Sequence, residues 1–122
     1  MSLHEVVYNA CYGGFSLSME AIDWLESNGC DEVKSMIKDI KSKQSLTYDL
    51  TVKHDVSIWF NRRRHHKDLV AVVEALGDKS WGKCSQLKTT IIDSSEYMIE
   101  SYDGFEDVIT PDDSHEWIFI ND

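Results

Sequence analysis

Residues 62–77 read Arg-Arg-Arg-His-His-Lys-Asp-Leu-Val-Ala-Val-Val-Glu-Ala-Leu-Gly, and they form the clearest helical pattern in the chain. Gly77 follows at a position where helices commonly end in a left-handed residue. The pattern predicts a short core helix over residues 69–76. Its apolar side chains recur at the spacing that places them on one face of a helix, at Leu69, Val70, Val72, Val73 and Leu76.

The entrance of this helix is the only strongly basic part of the sequence. Arg62, Arg63, Arg64 and His65 precede the apolar face. A helix N-terminus adds free backbone N–H groups and the positive end of the macrodipole. We therefore treat these four residues as a candidate site for an anion such as phosphate or a carboxylate. The alternative is a basic loop that pairs with the acidic C-terminal third of the same chain.

The composition indicates one globular domain over residues 1–122, since 42% of the residues are hydrophobic and 28% are charged. The net charge of −10 argues against direct binding to nucleic-acid backbones and favours a basic partner. The charge is unevenly placed, because residues 91–122 contain ten acidic and no basic side chains.

The cysteines and histidines show no spacing typical of a metal site. Cys11, Cys30 and Cys84 are odd in number and lack a C-x-x-C pair, so reduced thiols in the cytoplasm are expected. Neither a cofactor nor a metal is predicted. The sequence also shows no apolar run of the roughly 20 residues that span a bilayer, so no membrane association is expected.

Ahead of the central helix the sequence predicts a strand, a turn and two helices. Residues 6–12 are apolar and β-prone, and Gly13-Gly14 ends this strand in a turn open to positive φ. Ser18 is the expected N-cap of a first helix, which Asn28-Gly29 ends. Asp31 is the expected N-cap of a second helix, whose apolar residues follow helical spacing at Val33, Met36, Ile37 and Ile40.

The remaining patterns predict strands. Apolar and polar residues alternate over residues 46–52, and residues 56–60 either extend this strand or begin another. Residues 87–92 and 96–102 are expected to pair as a hairpin, followed by short strands at residues 105–109 and 116–120. The predicted fold class is α+β: a single domain with an antiparallel sheet (a meander) and about three helices packed on one face.

Two further places are candidate sites. Tyr8, Asn9, Tyr12, Gly13 and Gly14 could line a small-molecule pocket at the end of the first strand, because glycine lets a ligand approach the backbone. The alternative is a tight turn without a ligand.

The acidic C-terminal third could present a face to a basic host protein, with aromatic residues as anchors. The alternative is a set of ordinary solvated strand faces. The carboxylates assigned to this face are Glu96, Glu100, Glu106 and Asp107.

Three blocks of the sequence resemble one family. They are residues 8–15 (Tyr-Asn-Ala-Cys-Tyr-Gly-Gly-Phe), Arg64-His65 with residues 69–77, and residues 100–108 (Glu-Ser-Tyr-Asp-Gly-Phe-Glu-Asp-Val). The family consists of short proteins encoded by tailed phages and by large DNA viruses of protists. Its members often carry Asp-Pro after the Arg-His pair and a basic aromatic C-terminus, and this chain has neither. The resemblance implies a viral origin and, by itself, no activity.

The sequence contains no P-loop, nucleophile elbow, zinc-protease motif or dinucleotide fingerprint. We therefore expect a small viral accessory protein that acts by binding in the host cytosol, either inhibiting a host factor or sequestering a small anionic ligand. The alternative is a small enzyme acting on a phosphorylated or nucleotide-like substrate. In that case arginines would stabilise charge and a histidine would act as general acid or base.

Overall fold

The computed structural model describes residues 3–42 and 48–111 of the chain. These residues form four α-helices, one short 3₁₀ helix and four strands. In chain order the elements are β1 (Leu3–Asn9), α1 (Met19–Ser27), α2 (Asp31–Ser42), α3 (Tyr48–Asn61), α4 (Lys67–Leu76), the 3₁₀ helix (Gly77–Ser80), β2 (Leu87–Asp93), β3 (Met98–Tyr102) and β4 (Phe105–Ile109).

The central helix predicted at residues 69–76 is confirmed as α4, which begins two residues earlier. His66 caps its N-terminus, because the His66 Nδ1 atom accepts a hydrogen bond of 3.1 Å from the backbone N–H of Asp68. The apolar face is buried at Leu69, Val72 and Val73.

The two helices expected after the first strand are also confirmed. The hydroxyl of Ser18 accepts a hydrogen bond of 3.1 Å from the backbone N–H of Ala21, which is the geometry of an N-cap. The helix ends before Gly29, and α2 begins at Asp31. The Ser18 cap was therefore predicted correctly, whereas Asp31, the expected cap of the second helix, is the first residue of α2.

The strand predicted over residues 46–52 is wrong from residue 48 onward, where the chain forms α3; residues 46 and 47 lie outside the described part. The strand considered for residues 56–60 is wrong for the same reason. The helix buries a stripe at four-residue spacing, made by Val52, Val56 and Phe60. A second apolar set at Leu50 and Ile58 is exposed, and it obscured the helical period in the sequence.

The α+β class is confirmed, but the strands do not form one meander. In the described residues β1 pairs with β2 and β3 pairs with β4, both antiparallel, as two separate two-stranded sheets. The hairpin predicted between residues 87–92 and 96–102 is therefore wrong. Asp103 and Gly104 join β3 to β4 with φ angles of 50° and 89°, and an Asp-Gly pair favours such a two-residue turn more strongly than Ser94-Ser95 does.

The apolar core joins all four helices to the first sheet. Its buried members come from α1 to α4, from β1 and β2 and from neighbouring loops: Val7, Leu17, Ala21, Ile22, Leu25, Cys30, Val33, Ile37, Ile40, Val52, Val56, Phe60, Leu69, Val72, Val73 and Leu87. Within the described residues, the β3–β4 hairpin supplies no side chain to this cluster. It packs against β1 instead, and we show below that polar groups hold it there.

Two glycine turns meet where the hairpin contacts the rest of the protein. The predicted turn after the first strand is confirmed, with φ angles of 147° at Gly13 and 112° at Gly14, although β1 itself ends at Asn9. The backbone N–H of Gly13 donates a hydrogen bond of 3.1 Å to the carbonyl oxygen of Asp103. The approach is so close that a Cβ atom on Gly104 would lie 2.6 Å from the Gly13 nitrogen.

The predicted strand at residues 116–120 lies outside the described residues. No helix in the described ranges combines the length and the apolar character needed to cross a membrane.

The close approach at Gly104 leads to a prediction about stability. Gly104→Ala should lower the free energy of unfolding by at least about 2 kcal/mol more than Gly29→Ala does. The φ angles of the two glycines are 89° and 88°, so the left-handed strain is the same, but a Cβ atom on Gly29 meets nothing within 4 Å. Urea unfolding of both variants measures the difference. Equal losses in the two variants would show that the turn at Gly104 does not contact the turn at Gly13.

Candidate functional site

A buried ion pair joins the central basic segment to the hairpin. The guanidinium of Arg64 contacts the carboxylate of Glu106 through two parallel hydrogen bonds, of 2.6 Å from Nη1 to Oε1 and 2.8 Å from Nη2 to Oε2. Arg64 is 1% exposed and Glu106 is 6% exposed. This is the bidentate geometry in which arginine binds carboxylates most strongly.

The remaining donors of Arg64 are also used inside the protein. Nε donates to the carbonyl oxygen of Asn61 at 3.1 Å, Nη1 to the carbonyl oxygen of Val7 at 3.3 Å, and Nη2 to the side-chain oxygen of Asn61 at 2.5 Å. Together with the two bonds to Glu106, these use all five N–H groups of the guanidinium. The ring of Phe15 lies 3.9 Å from the Arg64 Cζ atom and covers one face of the group.

Asn9 links the ion pair to the turn after β1 and to the turn of the hairpin. Its backbone N–H donates to Glu106 Oε1 at 2.7 Å, and its side-chain amide donates to the carbonyl oxygens of Cys11 at 2.8 Å and Gly104 at 2.7 Å. Its Oδ1 atom accepts from the backbone N–H of Gln86 at 2.8 Å. Asn9 is fully buried, and Arg64 and Glu106 are buried with it.

The hydrogen bonds of Arg64, Glu106 and Asn9 give partners to polar atoms that would otherwise be buried without one. Among the described residues, no buried side-chain nitrogen or oxygen lacks a hydrogen-bond partner. Desolvating two charges is costly, and only good geometry with additional hydrogen bonds offsets that cost. Removing one partner alone would leave an uncompensated buried charge.

The four residues of the candidate anion site do not converge. Arg62 and Arg63 are exposed, and Arg63 lies over the ring of Trp59 with its Cζ atom 4.2 Å from the ring centre. The His65 Nδ1 atom is 2.7 Å from the hydroxyl of Tyr97. Arg64 points inward and cannot bind an anion while it holds Glu106. Anion binding at the entrance of α4 stays a prediction, which now rests on the other three side chains.

The five residues of the candidate pocket around the first turn serve different purposes. Asn9 forms the network above, and Gly13 and Gly14 pack against the hairpin turn. Tyr12 is 68% exposed and contacts two aromatic rings of the hairpin, while Tyr8 is half-buried on β1. None of the five lines the cavity of about 630 Å³ beside α3. A ligand at this turn stays a prediction.

Of the four carboxylates assigned to the acidic face, one is buried and three are exposed. Glu106 is buried against Arg64, so it is not available to a partner. Glu96, Glu100 and Asp107 are exposed. Glu100 and Asp107 lie directly opposite each other in the β3–β4 register and therefore share the outer face of the hairpin.

Aromatic rings flank these two carboxylates. Tyr102 and Phe105 form the next pair in the register, at the turn end of the hairpin, and are 74% and 37% exposed. The ring centre of Tyr12 is 6.5 Å from that of Tyr102 and 5.5 Å from that of Phe105. Met98, at the other end of β3, is 61% exposed on the same face. We call Tyr12, Met98, Glu100, Tyr102, Phe105 and Asp107 the hairpin outer face.

One group of side chains in the described residues has the donor atoms for a metal ion. The ligand atoms of Cys30, Glu32 and Asp68 all lie within 4.8 Å of one another. Burial raises the pKa of the Cys30 thiol to about 11, and its Sγ atom donates a 3.6 Å hydrogen bond to Glu32. A protonated thiol is a poor metal ligand, because metals bind the thiolate. A metal ion bound here would have to displace this proton. The absence of a metal cofactor stays a prediction.

The other two cysteines lie beside the first turn. The Cys11 Sγ atom is 3.2 Å from the carbonyl oxygen of Cys84 and 3.5 Å from Asn9 Oδ1, and Cys84 is exposed. The single S–H proton of Cys11 therefore has two acceptors within reach, the Cys84 carbonyl oxygen and Asn9 Oδ1.

Comparison with protein-family models, with curated proteins and with solved structures finds no match for this chain. The geometry of the described residues therefore carries the functional argument.

Sequence reasoning named both Arg64 and Glu106 but not their pairing, although Arg64 does what the alternative for the basic segment predicted, namely pair with the acidic C-terminal third. It assigned them to two surface sites of opposite charge. A signal was present in the alternation of β4, which places Glu106 on the same side as Val108 and opposite to Phe105 and Asp107. A carboxylate on the inward side of a strand needs a buried cation.

The ion pair leads to a prediction about coupling. Arg64→Met should destabilise the protein by about 3–5 kcal/mol, since it leaves the Glu106 carboxylate buried without its partner. Glu106→Gln should also destabilise it, and the double variant should lose less than the sum by about 1–3 kcal/mol. Arg62→Met, at an exposed arginine, is the control and should change stability by under about 0.5 kcal/mol. Urea unfolding gives all four values, and additive losses would contradict a direct pair.

The Cys30 thiol leads to a prediction about pH. Its folded pKa of about 11 lies above that of an unfolded cysteine, about 8.5, so the folded state retains a proton that the unfolded state loses. The stability that this proton contributes is complete below about pH 8.5 and is lost as the pH rises toward 11. Between pH 7.5 and pH 10, wild type should lose about 1–2 kcal/mol relative to Cys30→Ala. A stability difference that does not change with pH would show that the thiol is solvated.

Proposed function

We propose that the protein is a small viral accessory protein that acts by binding a basic host protein, with the hairpin outer face as its contact surface. One observation carries this proposal: two exposed carboxylates, Glu100 and Asp107, face each other across the hairpin and are bordered by exposed aromatic rings.

The carboxylate pair favours a cationic partner. Like charges directly opposite each other on a sheet destabilise it. In the described part of the chain, neither Glu100 nor Asp107 has a lysine, arginine or histidine nitrogen within 4.0 Å. A lysine or arginine of a partner would remove this repulsion on binding. Binding therefore gains electrostatic energy that the free protein lacks.

The aromatic rings favour arginine in particular. A guanidinium can form a bidentate contact with a carboxylate while it stacks on a neighbouring ring, and lysine cannot do both equally well. Tyr12, Tyr102 and Phe105 provide three rings beside the carboxylates. Tyrosine and phenylalanine are also enriched at the cores of protein interfaces. The face therefore suits a partner surface that presents arginines.

The overall charge supports the same proposal. Residues 91–122 carry ten acidic and no basic side chains, so the hairpin belongs to the most negative part of the chain. A field of one sign speeds the approach of an oppositely charged partner. The viral origin and the host cytosol as the place of action come from the family resemblance and the composition, and they form part of the proposal.

The position of the charges, and not only their number, should determine binding. We expect Glu100→Gln with Asp107→Asn to weaken binding of a fluorescein-labelled oligoarginine peptide about tenfold, the loss expected for one charge-assisted contact. The control is Glu20→Gln with Asp23→Asn, which changes the net charge equally at two exposed positions of α1. Fluorescence anisotropy at low salt measures the affinities.

Two further measurements complete this test. Binding of the wild type should weaken steeply as the salt concentration passes about 0.15 M, where the Debye length is about 8 Å. An oligolysine peptide of the same length should bind more weakly than oligoarginine, and Tyr102→Ser should remove that preference. If the hairpin and control variants weaken binding equally, the peptide senses only net charge and the hairpin outer face is not the contact surface.

A further inference from the structure

A cavity lies on the opposite side of the Glu106 carboxylate from the hairpin outer face. Its volume is about 630 Å³, within the range of roughly 300–1,000 Å³ that is typical of small-molecule pockets. Its walls are formed mainly by three segments, which are residues 15–19 leading into α1, one side of α3, and residues 81–83 after the 3₁₀ helix. Glu106 of β4 also lines it.

The wall supplied by α3 is a continuous stripe of residues that no other element covers in the described part of the chain. Leu50, Lys53, His54, Ser57, Ile58 and Asn61 follow one another at three- and four-residue spacing, so they share one side of the helix. Leu50 is 65% exposed and Ile58 is 56% exposed. The opposite side of the helix is the one that enters the core. The exposed apolar residues therefore have no packing role in the described structure.

Hydrogen bonds fix the walls against one another. The backbone N–H of Leu17 donates to the hydroxyl of Ser57 at 3.1 Å, which joins the first segment to α3. The backbone N–H of Gly82 donates to the carbonyl oxygen of Ser16 at 3.0 Å, which joins it to the third. The indole N–H of Trp81 donates to the carbonyl oxygen of Leu87 at 3.1 Å and holds the ring in place. The cavity is thus formed before any ligand arrives.

The charges around the cavity are positive in a protein whose net charge is −10. Lys53 and Lys83 line it, and in the described part of the chain neither ammonium group has a carboxylate within 4.0 Å. His54, also on the wall, has its Nδ1 atom 3.4 Å from an Asp55 carboxylate oxygen, so it is not counted among the unpaired cations. Glu106 is the one carboxylate among the described lining residues, and Arg64 neutralises it. An anion entering the cavity therefore meets two unpaired cations and no unpaired carboxylate from these residues.

We propose that this cavity binds a small amphiphilic anion, that is, a molecule with a flat apolar body and one carboxylate, sulfonate or phosphate group. The apolar body lies between Trp81 and the exposed side of α3, and the anionic group lies at Lys53 and Lys83. This site differs from the entrance of α4, and it gives the protein a ligand independent of the basic partner proposed above.

A pair of matched probes tests the proposal. 8-Anilinonaphthalene-1-sulfonate carries an aromatic body and one sulfonate, and N-phenyl-1-naphthylamine carries the same body without the charge. Both fluoresce when they leave water. The full-length wild type should bind the sulfonate at one saturable site and the neutral probe more weakly. Lys53→Gln with Lys83→Gln should weaken the sulfonate about tenfold and leave the neutral probe unchanged.

Three further variants decide whether the cavity is the site. Lys34→Gln with Lys88→Gln removes the same charge at exposed positions outside the cavity and should leave both probes unchanged. Ile58→Ser should weaken both probes, because it removes apolar contact from the wall. Glu100→Gln with Asp107→Asn, on the hairpin outer face, should not weaken either. Melting curves establish that each variant is folded.

Any of three results would overturn the proposal. The first is binding of the sulfonate without saturation. The second is an equal loss of affinity in the cavity and control lysine variants, which would mean that the probe responds to net charge. The third is unchanged binding of both probes by Ile58→Ser, which would place the probes on another apolar surface, such as the exposed rings of the hairpin.

Discussion

The ion pair between Arg64 and Glu106 is the interaction on which the arrangement of this protein depends. The four helices and the first sheet share an apolar core, and in the described residues the β3–β4 hairpin adds no side chain to that core. The hairpin is attached by a buried carboxylate, by the amide of Asn9 and by the contact of two glycine turns. Apolar contacts can accommodate small shifts in position, whereas a bidentate ion pair in which every N–H group of the arginine is used cannot. The pair therefore fixes the position of the hairpin as well as its attachment.

Charged side chains have two different roles in this structure. Inside the protein, Arg64 and Glu106 cancel each other and bind no partner. At the surface, Glu100 and Asp107 have no cation within reach among the described residues, and neither lysine at the cavity has a carboxylate. Because Glu106 points inward from β4 while Asp107 points outward, consecutive residues of one strand face the two proposed binding surfaces. The position of the hairpin determines the geometry of both surfaces.

The parts of the fold that could be predicted from the sequence have local causes. The helix α4 has one apolar face and a glycine at its end, and α1 has a serine cap, so neighbouring residues alone determine both. The helix α3 was mistaken for a strand because Leu50 and Ile58 make its second side apolar. A helix that is apolar on two sides loses the 3.6-residue period by which helices are recognised.

The candidate sites depended on contacts that are distant in the sequence. Arg64 and Glu106 are 42 positions apart, and a single sequence does not show which carboxylate pairs with which arginine. Asn9, Arg64 and Glu106 come from three separate segments of the sequence, and the structure brings these segments together. The cavity could not be predicted, because its walls come from three segments and one of them was assigned to a strand.

Hydrogen exchange at the amide of Asn9 tests the central claim most directly. This N–H donates to Glu106 and is released only when the hairpin leaves β1 or the whole domain unfolds. If the ion pair holds the hairpin as a fixed part of the fold, the amide should exchange with the free energy of global unfolding, as the core of α4 does. In Glu106→Gln its protection should fall further than that of the α4 amides. Exchange of the wild-type Asn9 amide at the rate of an unstructured peptide would contradict the account.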